Sequence, residues 1–247
     1  KELNPLSTVS NLYDTLACGF TPLVESGYVS TFIVHGSMAT MDYTPFSDVD
    51  TQLFLKDTVF TSPKILLDVA RYIASQNIHL RLFDPLQHHG YFICTDLDRQ
   101  YYPQAFLPLS TIEQGICVLG EDALQFRLRR SEYENKFSLW HMGHYFRNAF
   151  LDSRYPKNPF ELKRFLSRFM MLPVIYLELF HDQYPYKRDS FEVIKDHLPE
   201  RLARIMDEVS VIREEWSGNT ELCFSSKFAF KLYEYAEYML KKLKGLE

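Results

Sequence analysis

Apolar and polar positions follow two different rhythms along this chain. The first third is built from short β-rich runs, and the last half from apolar positions at helical spacing. Residues 5–27 place Leu12, Leu16 and Leu23 at near-helical intervals, which predicts a helix whose second half is weakened by Gly19 and Pro22. Residues 28–35 carry Val29, Phe32, Ile33 and Val34 and predict a strand that ends at Gly36-Ser37. Residues 48–55 alternate, with Val49, Thr51, Leu53 and Leu55 on one face and Asp48, Asp50, Gln52 and Phe54 on the other. Residues 63–76 predict a helix with Ile65, Leu66, Val69 and Ile73 inward, and residues 78–83 and 90–97 predict two further strands. Residues 98–121, rich in Pro, Tyr and Gln, read as a crossing toward a second unit. From residue 134 onward the pattern is helical, over 137–151, 159–180, 189–197, 199–215 and 225–243, punctuated by Pro156, Pro159, Pro185 and Pro199. No internal repeat or low-complexity tract interrupts it. The predicted fold class is an α/β domain, a mixed sheet with flanking helices, at residues 1–125, followed by an all-α helical bundle at 126–247.

Composition sharpens this division. With 247 residues and 46% apolar side chains, the chain can bury a sizeable core and is neither disordered nor collagen-like. The net charge of −5 is unevenly spread: residues 1–125 hold six Lys+Arg against fourteen Asp+Glu, and residues 126–247 hold twenty-one against eighteen. Net acidity argues against sequence-independent nucleic-acid binding, which needs a cationic surface. Cys18, Cys94, Cys117 and Cys223 have neither zinc-ligand nor redox spacing and read as buried thiols in a reducing compartment. No apolar run is long enough to span a bilayer and no signal-peptide pattern opens the chain, so no membrane partner and a cytoplasmic location are expected.

One stretch carries chemistry: Phe32-Ile33-Val34-His35-Gly36-Ser37, ten residues, then Asp48-Val49-Asp50. A strand ending in Gly-Ser offers bare backbone and a hydroxyl to an anionic group. A second strand presents Asp48 and Asp50 at i and i+2 on one face, with Cα atoms roughly 6–7 Å apart. Their carboxylates can converge on a divalent ion, and Mg²⁺ favours a few carboxylates plus phosphate oxygens. A phosphate cradle beside paired aspartates suits attack on a nucleotide α-phosphate.

Gly36-Ser37 followed by Ser47-Asp48-Val49-Asp50 resembles the signature of the polymerase-β-type nucleotidyltransferase superfamily, with Val34 and Leu53 in its hydrophobic strand positions. The likeness covers roughly residues 28–122, and Gly120-Glu121-Asp122 resembles the Gly-Glu-Asp that closes this domain in several antibiotic-modifying members. The two-domain order is similar to kanamycin-type and related aminoglycoside nucleotidyltransferases. Pro85-Leu86-Gln87-His88-His89-Gly90-Tyr91-Phe92 is similar to a short Pro-Leu-x-His-Gly-x-Phe segment of those enzymes, with one residue inserted. The resemblance implies that Gly36, Ser37 and Ser47 hold the nucleotide, that Asp48 and Asp50 hold Mg²⁺, and that AMP passes from a nucleoside triphosphate to a hydroxyl of a small molecule such as an antibiotic.

The family usually adds a third acid on a following strand. Residues 78–83 contain none, so Asp84, at the end of that run, is the candidate, with the start of a turn at Pro85 as its other reading. The family also draws a base from the first helix of the helical domain, where this chain has His141 and His144 and no acid, and His141 is the candidate. Lys187, beside Arg188, is a candidate phosphate contact by the same resemblance. Tyr43, Phe46, Tyr91, Tyr101 and Tyr102 could stack on a base or sugar, or pack the core. The alternatives are a catalytically weakened nucleotide-binding or regulatory module, or an antitoxin-like nucleotidyltransferase acting on a protein partner. Arg147-Asn148 begins a ribonuclease-like motif, but Ser153 stands where it needs His. A homodimer is compatible with all of these.

Overall fold

The computed structural model describes residues 5–43, 47–84, 87–99, 102, 108–121, 132–152, 155–214 and 225–245. Asp122, Phe46, Pro85, Leu86, Tyr101, Ser153 and Cys223 lie outside them. The chain divides into two compact units, Lys1–Tyr102 with Thr111–Arg129, and Pro103–Ser110 with Arg130–Glu247. Among the described residues, no helix is long and apolar enough to cross a membrane.

The first unit carries a four-stranded mixed sheet in the order β3-β2-β1-β4. Strand β1 (Val29–His35) pairs antiparallel with β2 (Asp50–Leu55) and with β4 (Ile116–Gly120), while β2 runs parallel to β3 (Phe92–Thr95). Helix α1 (Pro5–Glu25) and helix α3 (Pro63–Phe83) supply the core on one face: Leu12, Leu16, Phe20, Val69, Ile73 and Leu80 are buried with Phe32, Val34, Leu53 and Leu55. The opposite face bears His35, Asp50, Gln52 and Phe54. Directly paired residues share a face, and His35 is the register partner of Asp50. The alternation of residues 48–55 is thus kept, although β1 is buried along its whole length. Between β1 and β2 lies the short helix α2 (Ser37–Thr40).

Residues 78–83 are the last turns of α3, not a strand. Their alternation is deceptive: Ile78 and Leu82 are exposed, while Leu80, seven residues after Ile73, continues the inner stripe and half-buried Phe83 packs against the same core. The helix stops at Asp84, whose extended backbone (φ −129°, ψ 105°) is what a residue before proline prefers. Strand β4 lies inside the stretch expected to be a crossing, after the short helix α4 (Leu109–Glu113): five apolar or small residues between Gly115 and Glu121 return to pair with β1. Cys94 is buried, as expected, but Cys18 is exposed.

Arg99, at the end of a 3₁₀ turn (Asp96–Arg99), ties these strands together. Its guanidinium lies 3.0 Å from Asp96, donates to Glu121 at 2.8 Å and to the Thr31 hydroxyl at 3.0 Å, and sits over the Phe54 ring at 5.8 Å. The hydrogen bond from Arg99 is the main reason that the Glu121 carboxyl is held below its ordinary range.

The second unit contains α5 (Glu132–Leu151), α6 (Pro159–Phe169), α7 (Met171–His181), α8 (Lys187–Lys195), α9 (Glu200–Glu214) and α10 (Ser226–Lys244). Asn158 and Ser225 cap α6 and α10 by accepting from Glu161 and Phe228 backbone N–H groups. The pattern over 159–180 predicts one helix, but two form. Pro173 stands in the first turn of α7, where a missing N–H costs little. Its ring would collide with the carbonyl four residues back, at Phe169, where α6 ends. Helix α7 is buried from Leu172 to Glu178, with α5 packed against α10 and α7.

Arg99→Ala is expected to lower stability by about 1.5–3 kcal/mol, the usual value of hydrogen bonds to a charged group. Urea denaturation followed by circular dichroism would measure this.

Candidate active site

The end of β1 and the start of β2 meet at Gly36 and Asp50. Gly36 has φ 70° and ψ −160°, a conformation open essentially to glycine alone. A Cβ there would come within 2.3 Å of an Asp50 carboxylate oxygen and 3.0 Å of Asp50 Cβ. The glycine is therefore demanded twice, once by the turn and once by the aspartate packed on it. Ser37 opens α2 and is buried, and Ser47 is buried just ahead of Asp48.

Asp48 and Asp50 flank Val49, which is fully buried. The Val49 peptide is paired by a side chain rather than a strand: its N–H donates to Gln87 Oε1 at 3.0 Å, and its carbonyl accepts from Gln87 Nε2 at 3.1 Å. Gln87 Nε2 also donates to the His89 carbonyl at 3.1 Å. The loop's far end is held by Tyr91, whose hydroxyl donates to the Gln76 carbonyl at 2.8 Å while its ring meets Phe20 edge-on at 4.8 Å. These anchors set His88 and His89 against the two aspartates. His88 Nδ1 lies 3.2 Å from Asp48 Oδ2, and His89 Nε2 lies 3.5 Å from the same oxygen and 3.1 Å from Asp50 Oδ1. All four side chains are at most 21% exposed.

Burial alone would lower the His89 pKa, but hydrogen bonds and charge from Asp48 and Asp50 outweigh it and raise it to about 10. In the metal-free chain an imidazolium thus bridges two carboxylates. The Asp48 carboxylate and the two imidazoles also form a group that fits a divalent cation.

The structure packs Gly36 against Asp50, with Asp48 two residues away and Ser37 and Ser47 next to them in the chain. Asp84 does not end a strand. It is the buried C-cap of α3, its N–H donating to the Leu80 carbonyl at 3.0 Å, and its own carbonyl accepts from Gln87 N–H at 3.0 Å. The strand beside β2 is β3, Phe92-Ile93-Cys94-Thr95, and it contains no acid. His141 is an exposed residue of α5 whose ring stacks on Phe137 at 6.1 Å, and Lys187 is the first residue of α8. Tyr91 and Tyr102 are core residues, buried to 8% and 2% exposure. The motif by itself does not point to His88 and His89 as site residues. Their signal is the doubled histidine in the segment that resembles Pro-Leu-x-His-Gly.

No protein-family model matches the sequence, and no curated protein matches it. Among solved structures the chain is similar to the spectinomycin adenyltransferase AAD(9) from Enterococcus faecialis, crystallised with ATP and spectinomycin. The identity is 10%, the TM-score is 0.57, and the match covers 97% of this chain and 99% of that one. The likeness establishes the fold: a mixed sheet with flanking helices and a helical C-terminal region.

Two outcomes are expected. Gln87→Ala strands the buried N–H and C=O of Val49 and should cost about 2–4 kcal/mol in chemical denaturation. The raised His89 pKa gives a stabilisation that is full below about pH 6.5 and lost as pH rises through about 10. In the metal-stripped chain, His89→Gln should remove this alkaline fall in melting temperature, and the His89 ring signal should titrate far above the usual histidine range in proton NMR.

Proposed function

We propose that this chain is a nucleotidyltransferase that moves AMP from a nucleoside triphosphate to a hydroxyl of a small molecule. The observation that carries this reading is the packing of Gly36 against Asp50 at the junction of β1 and β2, with Asp48 two residues away, in a fold shared with an ATP-using adenyltransferase. The Gly36–Ser37 turn and Ser47 receive the triphosphate. Asp48 and Asp50 supply carboxylates for Mg²⁺, whose phosphate-bound form takes mostly oxygen ligands. A divalent ion bound there would offset phosphate charge and polarise the attacked phosphorus. The acceptor is assigned as a cationic, hydroxyl-bearing antibiotic of the spectinomycin or aminoglycoside kind, which suits the acidic composition of residues 1–125. Within this reading Lys187 is the candidate phosphate contact, His141 the candidate base and Asp84 the candidate third acid.

One feature favours a second reading, a nucleotide-binding module without turnover. Strand β3 lacks the acid that a catalytic strand in this position would carry, and His89 already bridges both aspartates.

Pyrophosphate release with ATP and Mg²⁺ over a panel of hydroxyl acceptors that includes spectinomycin separates the two. The enzyme reading expects release that depends on the acceptor and falls on the order of 100-fold or more in Asp48→Asn and Asp50→Asn. ATP binding that persists without release over the whole panel supports the binding module. His141→Ala and Lys187→Ala should lower kcat and raise KM for ATP, respectively; unchanged kinetics would remove either residue from the site.

A further inference from the structure

The head of β2 is richer in nitrogen donors than an oxygen-only Mg²⁺ site requires. Asp48, His88 and His89 each offer one ligand atom within 4.8 Å of the other two. Asp48 Oδ2 is 3.2 Å from His88 Nδ1 and 3.5 Å from His89 Nε2, and Asp50 Oδ1 is 3.1 Å from His89 Nε2. Donors around a tetrahedral ion with bonds of about 2.0–2.1 Å stand about 3.3 Å apart, so these separations are already close to a coordination sphere.

The orientation of His89 is a second, independent observation. Its Nδ1 lies 2.9 Å from the Gly90 carbonyl oxygen. Gln87 Nε2 also lies 3.2 Å from Nδ1, so this nitrogen is engaged within its own loop and Nε2 is the nitrogen turned to the carboxylates. Ligating histidines adopt this arrangement, with one ring nitrogen donating to a carbonyl and the other on the ion. The ring is also held in place: Phe92 stacks on it at 4.8 Å, and buried His35 stacks on Phe92 at 6.1 Å.

We propose that Asp48, His88 and His89 form a binding site for a divalent ion that accepts imidazole nitrogen, of the zinc and cobalt class, with Asp50 at its edge. The chain holds this ion before any nucleotide arrives, whereas Mg²⁺ takes few nitrogen ligands and enters with phosphate. Binding replaces the second proton of the His89 ring, which leaves to solvent. The inference deepens the nucleotidyl-transfer reading and rests on it for what the ion does to a phosphate, not for the binding.

The test uses the full chain, stripped with a chelator and titrated with Zn²⁺ against a chromophoric competitor, and separately loaded with Co²⁺. One Zn²⁺ per chain is expected. His88→Gln and His89→Gln should each weaken it by about tenfold or more, with folding checked by circular dichroism. His181→Gln, from the stacked His181–His197 pair of the helical unit, should leave it unchanged. The Co²⁺ form should show visible ligand-field bands that both site variants lose. Zinc affinity untouched in both His88→Gln and His89→Gln, or lost instead in His181→Gln, overturns the site. Zinc binding that follows the expected pattern in a chain that neither binds ATP nor releases pyrophosphate keeps the ion site and removes the nucleotidyl-transfer reading. ATP turnover that persists with Mg²⁺ while zinc fails to bind does the reverse.

Discussion

The site depends on one amide. The Gln87 side chain pairs with both polar atoms of the Val49 peptide and so takes the place of a neighbouring strand where β2 has not yet begun. A buried peptide left without partners is costly, which makes this pairing a strong constraint on where the loop after α3 can lie. Because Asp48 and Asp50 flank Val49, whatever follows Gln87 is delivered to their face. Two histidines follow it. Removing the amide would release the histidines and the strand end together.

Charge explains why the delivery is stable. Two carboxylates two residues apart repel one another in a partly dry setting, and something positive must stand between them. In the metal-free chain that is the His89 imidazolium. A cation with nitrogen affinity satisfies the same need and keeps the same geometry. Phosphate chemistry asks for an ion where the proton now resides, so proton and ion compete for one position. Gly36 completes the arrangement by leaving room for Asp50, which links the turn that would cradle phosphate to the carboxylate that would face the ion.

Much of this is legible along the chain. Gly36, Asp48 and Asp50 stand out because a glycine at one strand end and acids at i, i+2 on the next strand combine a backbone need with a shared polar face. The register pairing of His35 with Asp50 then sets Asp50 beside the strand end at which Gly36 turns. The helical half is legible because long helices repeat their apolar stripe over many turns. That stripe runs on through Pro173 without a gap, yet the proline ring forbids a continuous helix through Phe169. Residues 78–83 mislead because four apolar residues in six fit a strand as well as a helix. Only the exposure of Ile78 and Leu82 decides between them.

Local pattern thus determined the element types over most of the chain, the mixed-sheet-then-helices order, and the two aspartates with their glycine. These follow from short-range sterics and side-chain periodicity, which a sequence carries explicitly. Tertiary structure alone decided that β4 returns to β1, that Arg99 joins Asp96, Glu121 and Thr31, and that His88 and His89 meet the aspartates. Each of these joins residues separated by a whole element or more, or depends on which backbone groups remain unpaired once the sheet has formed. No periodicity encodes that choice; it is made by the need to satisfy every buried donor, acceptor and charge at once.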